Sequence, residues 1–467
     1  MKTKIFVLLI LAALNNITAQ QLYTDNAVVN DAFSLAVNTL YKNSPDSLIK
    51  AGGEYGGEWT RDVSINAWNA STLLIPEKTK YSLWSVTENE KETIGHQYWD
   101  KIIWTLAAWD YYLKTSDTIF LKQAYETCKN TMKELEQSCF DVSYGLFTGP
   151  SVFNDGIAGY EFPVFDPDIV SSFVLDHPNS KRIKCLSTNC VYFQAYNCLA
   201  YMAKELKDNK SDLSYFSKAS DLKQNIRNNF YDKRHNKLYY LIDHTGKIHK
   251  FQEGLGISFA VLFNIINKKE AERVLNNVYT GKYGLPSIYP CFERFSETKP
   301  GRHNQIVWPF VNAFFSQACF KTGYTDLFLK EFYNLADLAV NKSNNCFYEI
   351  YNENTGLQDG GWQQGYVWNS VHDQTWSATG FIRMVIYGVL GMDFSVQGIT
   401  FNIDNKVMNS VGFKKLSGLR YRNSMITIIK TGNGDKLAYI TVNGVKQRKT
   451  KPVKADSTRT VIEFVMQ

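Results

Sequence analysis

FYEIYNENTGLQDGGWQQGYVWNSVHDQTWSATGFI, Phe347 to Ile382, contains in one run the two textures that alternate along the chain. Its first part is a loop rich in Gly, Asn, Gln and aromatic residues. At Gln374-Thr375-Trp376-Ser377-Ala378 the pattern turns apolar and periodic, as a helix start does. The same transition occurs at EYGGEWTRDVSINAW, Glu54 to Trp68, where two glycines precede Trp59, Arg61 and Asp62 and an amphipathic segment follows. An indole, a guanidinium and a carboxylate leaving a glycine-rich turn together suit a polyhydroxylated ring. They equally suit a buried ion pair at a helix start.

Working outward, helical periodicity predicts segments at Thr24–Tyr41, Asp62–Leu74, Thr93–Lys114, Asp117–Ser138, Ser187–Leu206, Leu213–Phe230, Glu253–Ile266, Lys268–Val278, Val307–Thr322, Asp326–Val340 and Asp373–Leu390. Short links force neighbouring helices to pack as antiparallel hairpins, so these segments come close to six pairs. Three long connections interrupt them: Phe140–Lys184, Gly281–Ile306 and Ser343–His372. Loops of that length inside a compact domain are usually functional, which points to one rim where they converge. A smaller hairpin, KLYYLIDHTGKIHKF, is expected on the same rim.

The first residues read as a secretory signal peptide: Lys2 and Lys4, an apolar run from Ile5 to Leu14, and a cleavage site after Ala19. This gives residues 1–19 as signal, 20–392 as the helical domain and 393–467 as a small β-sandwich-like domain, and implies an exported, periplasmic or extracellular protein. No later apolar run reaches the roughly 20 residues of a membrane span. The first cysteine is Cys128, so a lipid anchor at the cleavage site is not expected. After Gly391, short alternating runs rich in Val, Ile and Thr are broken by Gly432-Asn433-Gly434 and Asn443-Gly444, the marks of antiparallel hairpins. The formal charge of +6 is concentrated there, with 13 Lys/Arg against 5 Asp/Glu from Asp393 onward. That surplus reads as a solvated basic face, or as a surface for anionic polysaccharide or lipid headgroups. Nothing resembles a nucleic-acid module. Eight cysteines are too sparse for a disulfide scaffold; Cys185 and Cys190 read either as one small bridge or as buried thiols. CxxC, HExxH and phosphate-loop motifs are all missing, so no metal or cofactor is expected.

Aromatic residues make up 14% of the chain, and many fall in the rim loops: Tyr55, Trp59, Tyr98, Trp99, Tyr144, Tyr160, Trp362 and Trp368. Sugar C–H faces stack on such rings while polar edges take hydrogen bonds. Trp104 and Trp109, in mid-helix, read as core. Glu349, on its aromatic-walled loop, reads either as an exposed acid or as a carboxylate able to hold and deprotonate a water.

The pattern Glu349-x-Tyr351-Asn352-x-x-Thr355-Gly356, followed by Thr375-Trp376-Ser377, resembles the general-base segment of glucoamylases and of family 63 glucosidases and trehalases. Trp59-Thr60-Arg61-Asp62 is similar to the substrate-gripping motif of glucoamylases. The resemblance implies an (α/α)6 barrel, a mainly α fold, with Glu349 as base, Arg61 and Asp62 on the hydroxyls of the terminal sugar, and Trp376 beside them. HNQIVWPFVNAFF, His303 to Phe315, and KFQEGLGISFAVLF, Lys250 to Phe263, are similar to inner-helix entries of such enzymes, which implies Asn304, Trp308, Gln252 and Glu253 near the pocket. Trp308 as wall and Glu253 as a helix-start carboxylate are the structural readings of the same residues.

Inverting hydrolysis needs a second carboxyl group, a proton donor placed about 6.5–9.5 Å from the base so that a water fits between. The superfamily's acid lies well upstream of the base, which here is YGLFTGPSVFNDGIAGYEFPVFDPD, Tyr144 to Asp168. Asp155 is the candidate, since its apolar neighbours would raise a carboxyl pKa. Glu161, Asp166 and Asp168 are reserves, and Asn154-Asp155-Gly156 is also ordinary turn chemistry. The sequence context of the family's acid is not reproduced here. The expectation is an inverting, exo-acting hydrolase of an α-linked sugar, a glucoside by resemblance, on an oligosaccharide or glycoconjugate. The alternatives are a disaccharide phosphorylase on the same scaffold, a polysaccharide lyase and a non-catalytic glycan-binding protein.

Overall fold

The computed structural model describes residues 20–55, 57–448 and 451–467. The predicted signal peptide, 1–19, lies outside the described residues. Twelve helices form the body among those described. In chain order they are α1 (Ala27–Lys42), α2 (Thr60–Asn66, running through a π turn at Ala67–Ser71 into Thr72–Leu74), α3 (Pro76–Ser85), α4 (Ile103–Thr115), α5 (Thr118–Cys139), α6 (Leu186–Glu205), α7 (Asn209–Phe230), α8 (Gly254–Leu262), α9 (Lys268–Leu275), α10 (Pro309–Thr322), α11 (Thr325–Asp337, with a π turn at Leu338–Lys342) and α12 (Thr375–Met384, with a π turn at Val385–Val389).

The even-numbered helices pack on one another in sequence, and α12 closes against α2, which makes an inner ring; the odd-numbered helices lie outside it. The (α/α)6 barrel is therefore the fold. Its two rings show in the residues. Helices α8, α10 and α12 are buried nearly all round, because they are walled on both sides. Outer helices such as α5 and α7 bury one stripe and leave the rest to water. Caps fix the boundaries: Asp117 accepts from Phe120 N before α5, Asn267 and Glu270 form a reciprocal capping box on α9, and Gly323 in the left-handed region ends α10.

Two helix predictions need correction. Thr93 to Ile102 is not helical: Thr93–Ile94 pairs with Thr87–Glu88, Gly95 N reaches Val86 O, and His96 has φ 69°. A hairpin held this way leaves no turn for a helix before Ile103. Helix α3 was not predicted, because PEKTKYSLWS buries only Thr79, Ser82 and Leu83 and shows no apolar stripe.

The β region is a six-stranded sheet of β1 (Gln21–Tyr23), β2 (Lys415–Tyr421), β3 (Ser424–Thr431), β4 (Leu437–Val442), β5 (Val445–Gln447) and β6 (Arg459–Met466), in the order β1-β2-β3-β6-β4-β5. It departs from the expected pattern twice. The β3–β6 pair is parallel whereas the others are antiparallel, and β1 comes from the far end of the chain to pair with β2, Leu22 opposite Leu416. The sheet sits at the C-terminal ends of the inner helices, where Arg422 N donates to Lys114 O at the end of α4 (2.7 Å). All eight cysteines are free thiols, Cys185 and Cys190 among the buried ones.

Candidate active site

An up-down ring puts the N-terminal ends of all six inner helices on one rim, opposite the sheet. The long loops enter those helices and so meet at the rim. There a cavity of 290 Å³ is lined by Tyr55, Trp59, Arg61 and Asp62 at the start of α2, Phe153, Asp155 and Phe173 before α6, Arg302, His303 and Trp308 before α10, and Glu349, Gln363, Trp368, Gln374 and Trp376 around the start of α12. A larger cavity, 1000 Å³, lies at the other end beside the sheet; its inner carboxylate, Asp110, is already neutralised by Lys114 at 2.6 Å.

Glu349 is buried and held from three sides. Arg302 Nη2 lies 2.8 Å from both carboxylate oxygens, Tyr55 donates its hydroxyl to Oε2 at 3.0 Å, and His303 Nε2 is 4.0 Å from Oε1. Burial alone would raise its pKa. The Arg302 charge and the His303 contact outweigh burial and bring it to about 2, so Glu349 is ionised throughout the working range. Arg302 is fixed in turn by donating to Gly360 O (3.0 Å) and lying 5.2 Å from the Trp368 ring centroid. His303 stacks on Trp308 with ring centroids 3.9 Å apart, and both of its ring nitrogens are buried without a hydrogen-bond partner. Burial lowers its pKa, so the imidazole is neutral. Trp308 meets Trp376 edge-on at 5.5 Å. Gln374, with its amide oriented to donate to Ala51 O (2.7 Å), accepts from the Trp376 indole (2.9 Å).

The second cluster gathers three carboxylates on one guanidinium. Arg61 Nη2 lies 2.8 Å from Asp155, Nη1 3.7 Å from Asp100 and Nε 3.6 Å from Asp62. The reading of the opening motif as a buried ion pair at a helix start is met, and that pair lies in the pocket wall. Burial raises Asp62 and Asp100 to about 7 each, against the pull of Arg61. For Asp155 the balance goes the other way. Burial raises its pKa as its apolar neighbours predicted, but Arg61 beside it, helped by Arg302, holds it below the ordinary value. The expectation that its surroundings keep Asp155 protonated is thus corrected.

Of the predicted site residues, Asp155, Glu349, Trp59, Arg61, Asp62, Trp308 and Trp376 line the cavity. Gln252, Glu253 and Asn304 do not. Gln252 is turned to the Tyr279 backbone, accepting from its N and donating to its O. Glu253 is buried below the rim, where Ser151 and Ser187 hydroxyls and Ser187 N donate to it. Asn304 is fully buried and accepts from Phe292 N. The reserves also lie elsewhere: Glu161 pairs with Arg294 (2.8 Å), and Asp166 and Asp168 are not in the lining. Trp99 and Tyr160, expected on the rim, are core. Arg302, His303 and Asp100 were missed; His303 opens the quoted HNQIVWPF run and was passed over for its neighbour Asn304. Among the described residues, no group of three or more His, Cys, Asp or Glu is placed to hold a metal ion.

Residues 66–377 match the family described as the mannosylglycerate hydrolase MGH1-like glycoside hydrolase domain. The chain belongs to this family. It is accordingly a glycoside hydrolase, with a carbohydrate as substrate. Solved structures share its fold at low identity. A sialidase superimposes with a TM-score of 0.70 at 14% identity, covering 91% of this chain and 40% of its own. The GH63 mannosylglycerate hydrolase from Thermus thermophilus, in complex with glucose, gives 0.59 at 14%, covering 75% and 99%. A GH78 family rhamnosidase of Bacillus sp. GL1 gives 0.57 at 12%, covering 96% and 44%. The family member therefore spans about two fifths of the length of the sialidase and of the rhamnosidase. No curated protein matches it in sequence.

Proposed function

We propose that this glycoside hydrolase removes one α-linked sugar from the non-reducing end of an oligosaccharide or glycoconjugate with inversion of configuration. Glu349 is the base that takes a proton from water, and Asp155 is the acid that donates to the leaving oxygen. The observation that supports the reading is that two carboxylates from different hairpins enter one small cavity, each under its own guanidinium. A volume of about 300 Å³ is at the lower end for ligand pockets and suits a single ring rather than a long chain, which favours exo action. Water is the nucleophile.

Arg61 favours the ionised form of Asp155. Sugar hydroxyls that engage Arg61 would weaken that pair and let Asp155 take up the proton it must give, while Asp62 and Asp100 retain the guanidinium. A second reading is favoured by one observation: Asp62, at about 7, is the cavity carboxyl that is substantially protonated near neutral pH, which makes it the rival donor.

A glucoside is the proposed substrate on the resemblance to glucoamylases, with an α-mannoside as the alternative raised by the family's description. Purified protein screened on α-glucosides, α-mannosides and α-rhamnosides, with NMR on the first anomer released, tests the proposal. Inversion and loss of turnover in Glu349→Gln are expected; a retained anomer or an active variant refutes it. Glycosyl fluorides, whose leaving group needs no proton, separate the two donors: the acid's Asn variant keeps fluoride hydrolysis and loses the disaccharide. Export, proposed from residues 2–19, is tested by locating the processed chain outside the cytoplasm.

A further inference from the structure

The cavity wall has more acid than base. Asp62, Asp155 and Glu349 line it, with Asp100 directly behind, against Arg61 and Arg302. Each guanidinium is paired: Arg302 with Glu349, and Arg61 with Asp155, with Asp62 and Asp100 also within 3.6 and 3.7 Å of Arg61. His303 is neutral. Among the described residues of the lining there is thus no unpaired cation for an anionic group.

The mouth offers a different kind of surface. Trp368 lines the cavity and is 38% exposed, so it extends from the inside to the outside, and Tyr366 stands beside it at 5.6 Å with 44% exposure. This platform is built rather than draped. Trp368 N donates to Gly361 O (2.9 Å), Trp362 N to Pro300 O (2.7 Å) and Arg302 N to Trp362 O (2.8 Å), while Arg302 lies across the Trp368 ring. At Gly360 the chain passes so close that an added Cβ would be 1.9 Å from Trp368 O. A fixed indole at the exit of a one-ring cavity takes the C–H face of a ring, and carries no charge to take an acid.

Resting on the proposed hydrolase reading, we infer that the leaving group is an uncharged sugar ring stacked on Trp368. The substrate is then a neutral disaccharide or oligosaccharide end rather than a sugar joined to a carboxylic acid, in contrast to the compound in the family's description. Wild type, Trp368→Ala and Trp368→Phe are compared on the best-cleaved neutral α-disaccharide, on the α-fluoride of the same sugar, and on mannosylglycerate. The Ala change should lower kcat/KM about tenfold more on the disaccharide than on the fluoride, Phe should recover most of it, and mannosylglycerate should be at least about tenfold poorer than the disaccharide. Equal losses on disaccharide and fluoride, no recovery by Phe, or mannosylglycerate as good as the disaccharide would overturn the inference. If no fluoride is hydrolysed the proposed exo-α-glycosidase reading itself fails. Calorimetry on the same disaccharides then decides the stacking: binding weakened about tenfold by Trp368→Ala supports it, and unchanged or undetected binding overturns it.

Discussion

Replacing Arg61 by Met leaves buried Asp62 and Asp100 and half-buried Asp155 together without the cation they share, only Arg302 acting on Asp155 from further off. Asp155 has a folded pKa below its unfolded value, so its pair with Arg61 contributes stability above the unfolded pKa and loses it only as pH falls through the lowered one. Asp62 and Asp100, raised from 3.8 to about 7, act in the opposite sense, opposing folding progressively as pH rises from 3.8 to 7. Without Arg61 all three carboxyls behave in the second way. Breaking a buried pair from one side costs about 3–5 kcal/mol when the partner stays charged, so the variant should lose that much at pH 8. By pH 5 the three carboxyls protonate to escape the cost, and roughly half of it or less should remain. For a chain of this length about 1 kcal/mol corresponds to about 1 °C in Tm. Differential scanning calorimetry of wild type and Arg61→Met at pH 5 and pH 8 should therefore show a gap of about 3–5 °C at pH 8 that narrows at pH 5. A gap independent of pH, or wider at pH 5, would refute the three-carboxylate account.

Because Asp62 ionises near pH 7, kcat/KM should fall above that pH, and Asp62→Asn should abolish the limb; its persistence in the variant assigns it elsewhere. Tyr55→Phe removes one donor to Glu349 and should lower kcat/KM about tenfold with Tm moved by no more than about 1–2 °C; unaltered kinetics would show that the hydroxyl does not orient the base. Gly388→Ala would put a Cβ 2.1 Å from the Phe328 ring of α11, and should cost about 1–3 kcal/mol of stability with little effect on kcat at 25 °C; an unshifted Tm would mean that α11 gives way freely.

The ring was readable in the sequence because it is made of local signals. Apolar periodicity, short links and caps act within a few residues, and they located eleven of the twelve helices. Helix α3 was invisible because its packing rests on Thr79, Ser82 and Leu83 rather than on a stripe. Alternation located the strands of the sheet near the C-terminal end but carries no information on partner direction, so the parallel β3–β6 pair and the three-residue β1 were not legible. In the site, the aromatic and carboxylate residues announced themselves by type and spacing. Their charge states did not, because these are set by Arg61 and Arg302 arriving from hairpins distant in sequence. Glu253 misled because a carboxylate at an inner-helix start looks the same whether it faces the cavity or is buried against Ser151 and Ser187.

Strand β1 lies beside β2, and Gln20 donates its side-chain amide to Gly418 O at 3.1 Å, nearly four hundred positions away. The toroid is thus fastened by a clasp whose two halves are translated far apart in time. The seam between α12 and its two neighbours, α1 and α2, cannot seal until the last hairpin has emerged, so Arg61 meets its finished surroundings only after α12 has been made. Joining residues 20 and 467 by a short linker and opening the ring at another outer loop would move the clasp without removing a single pairing.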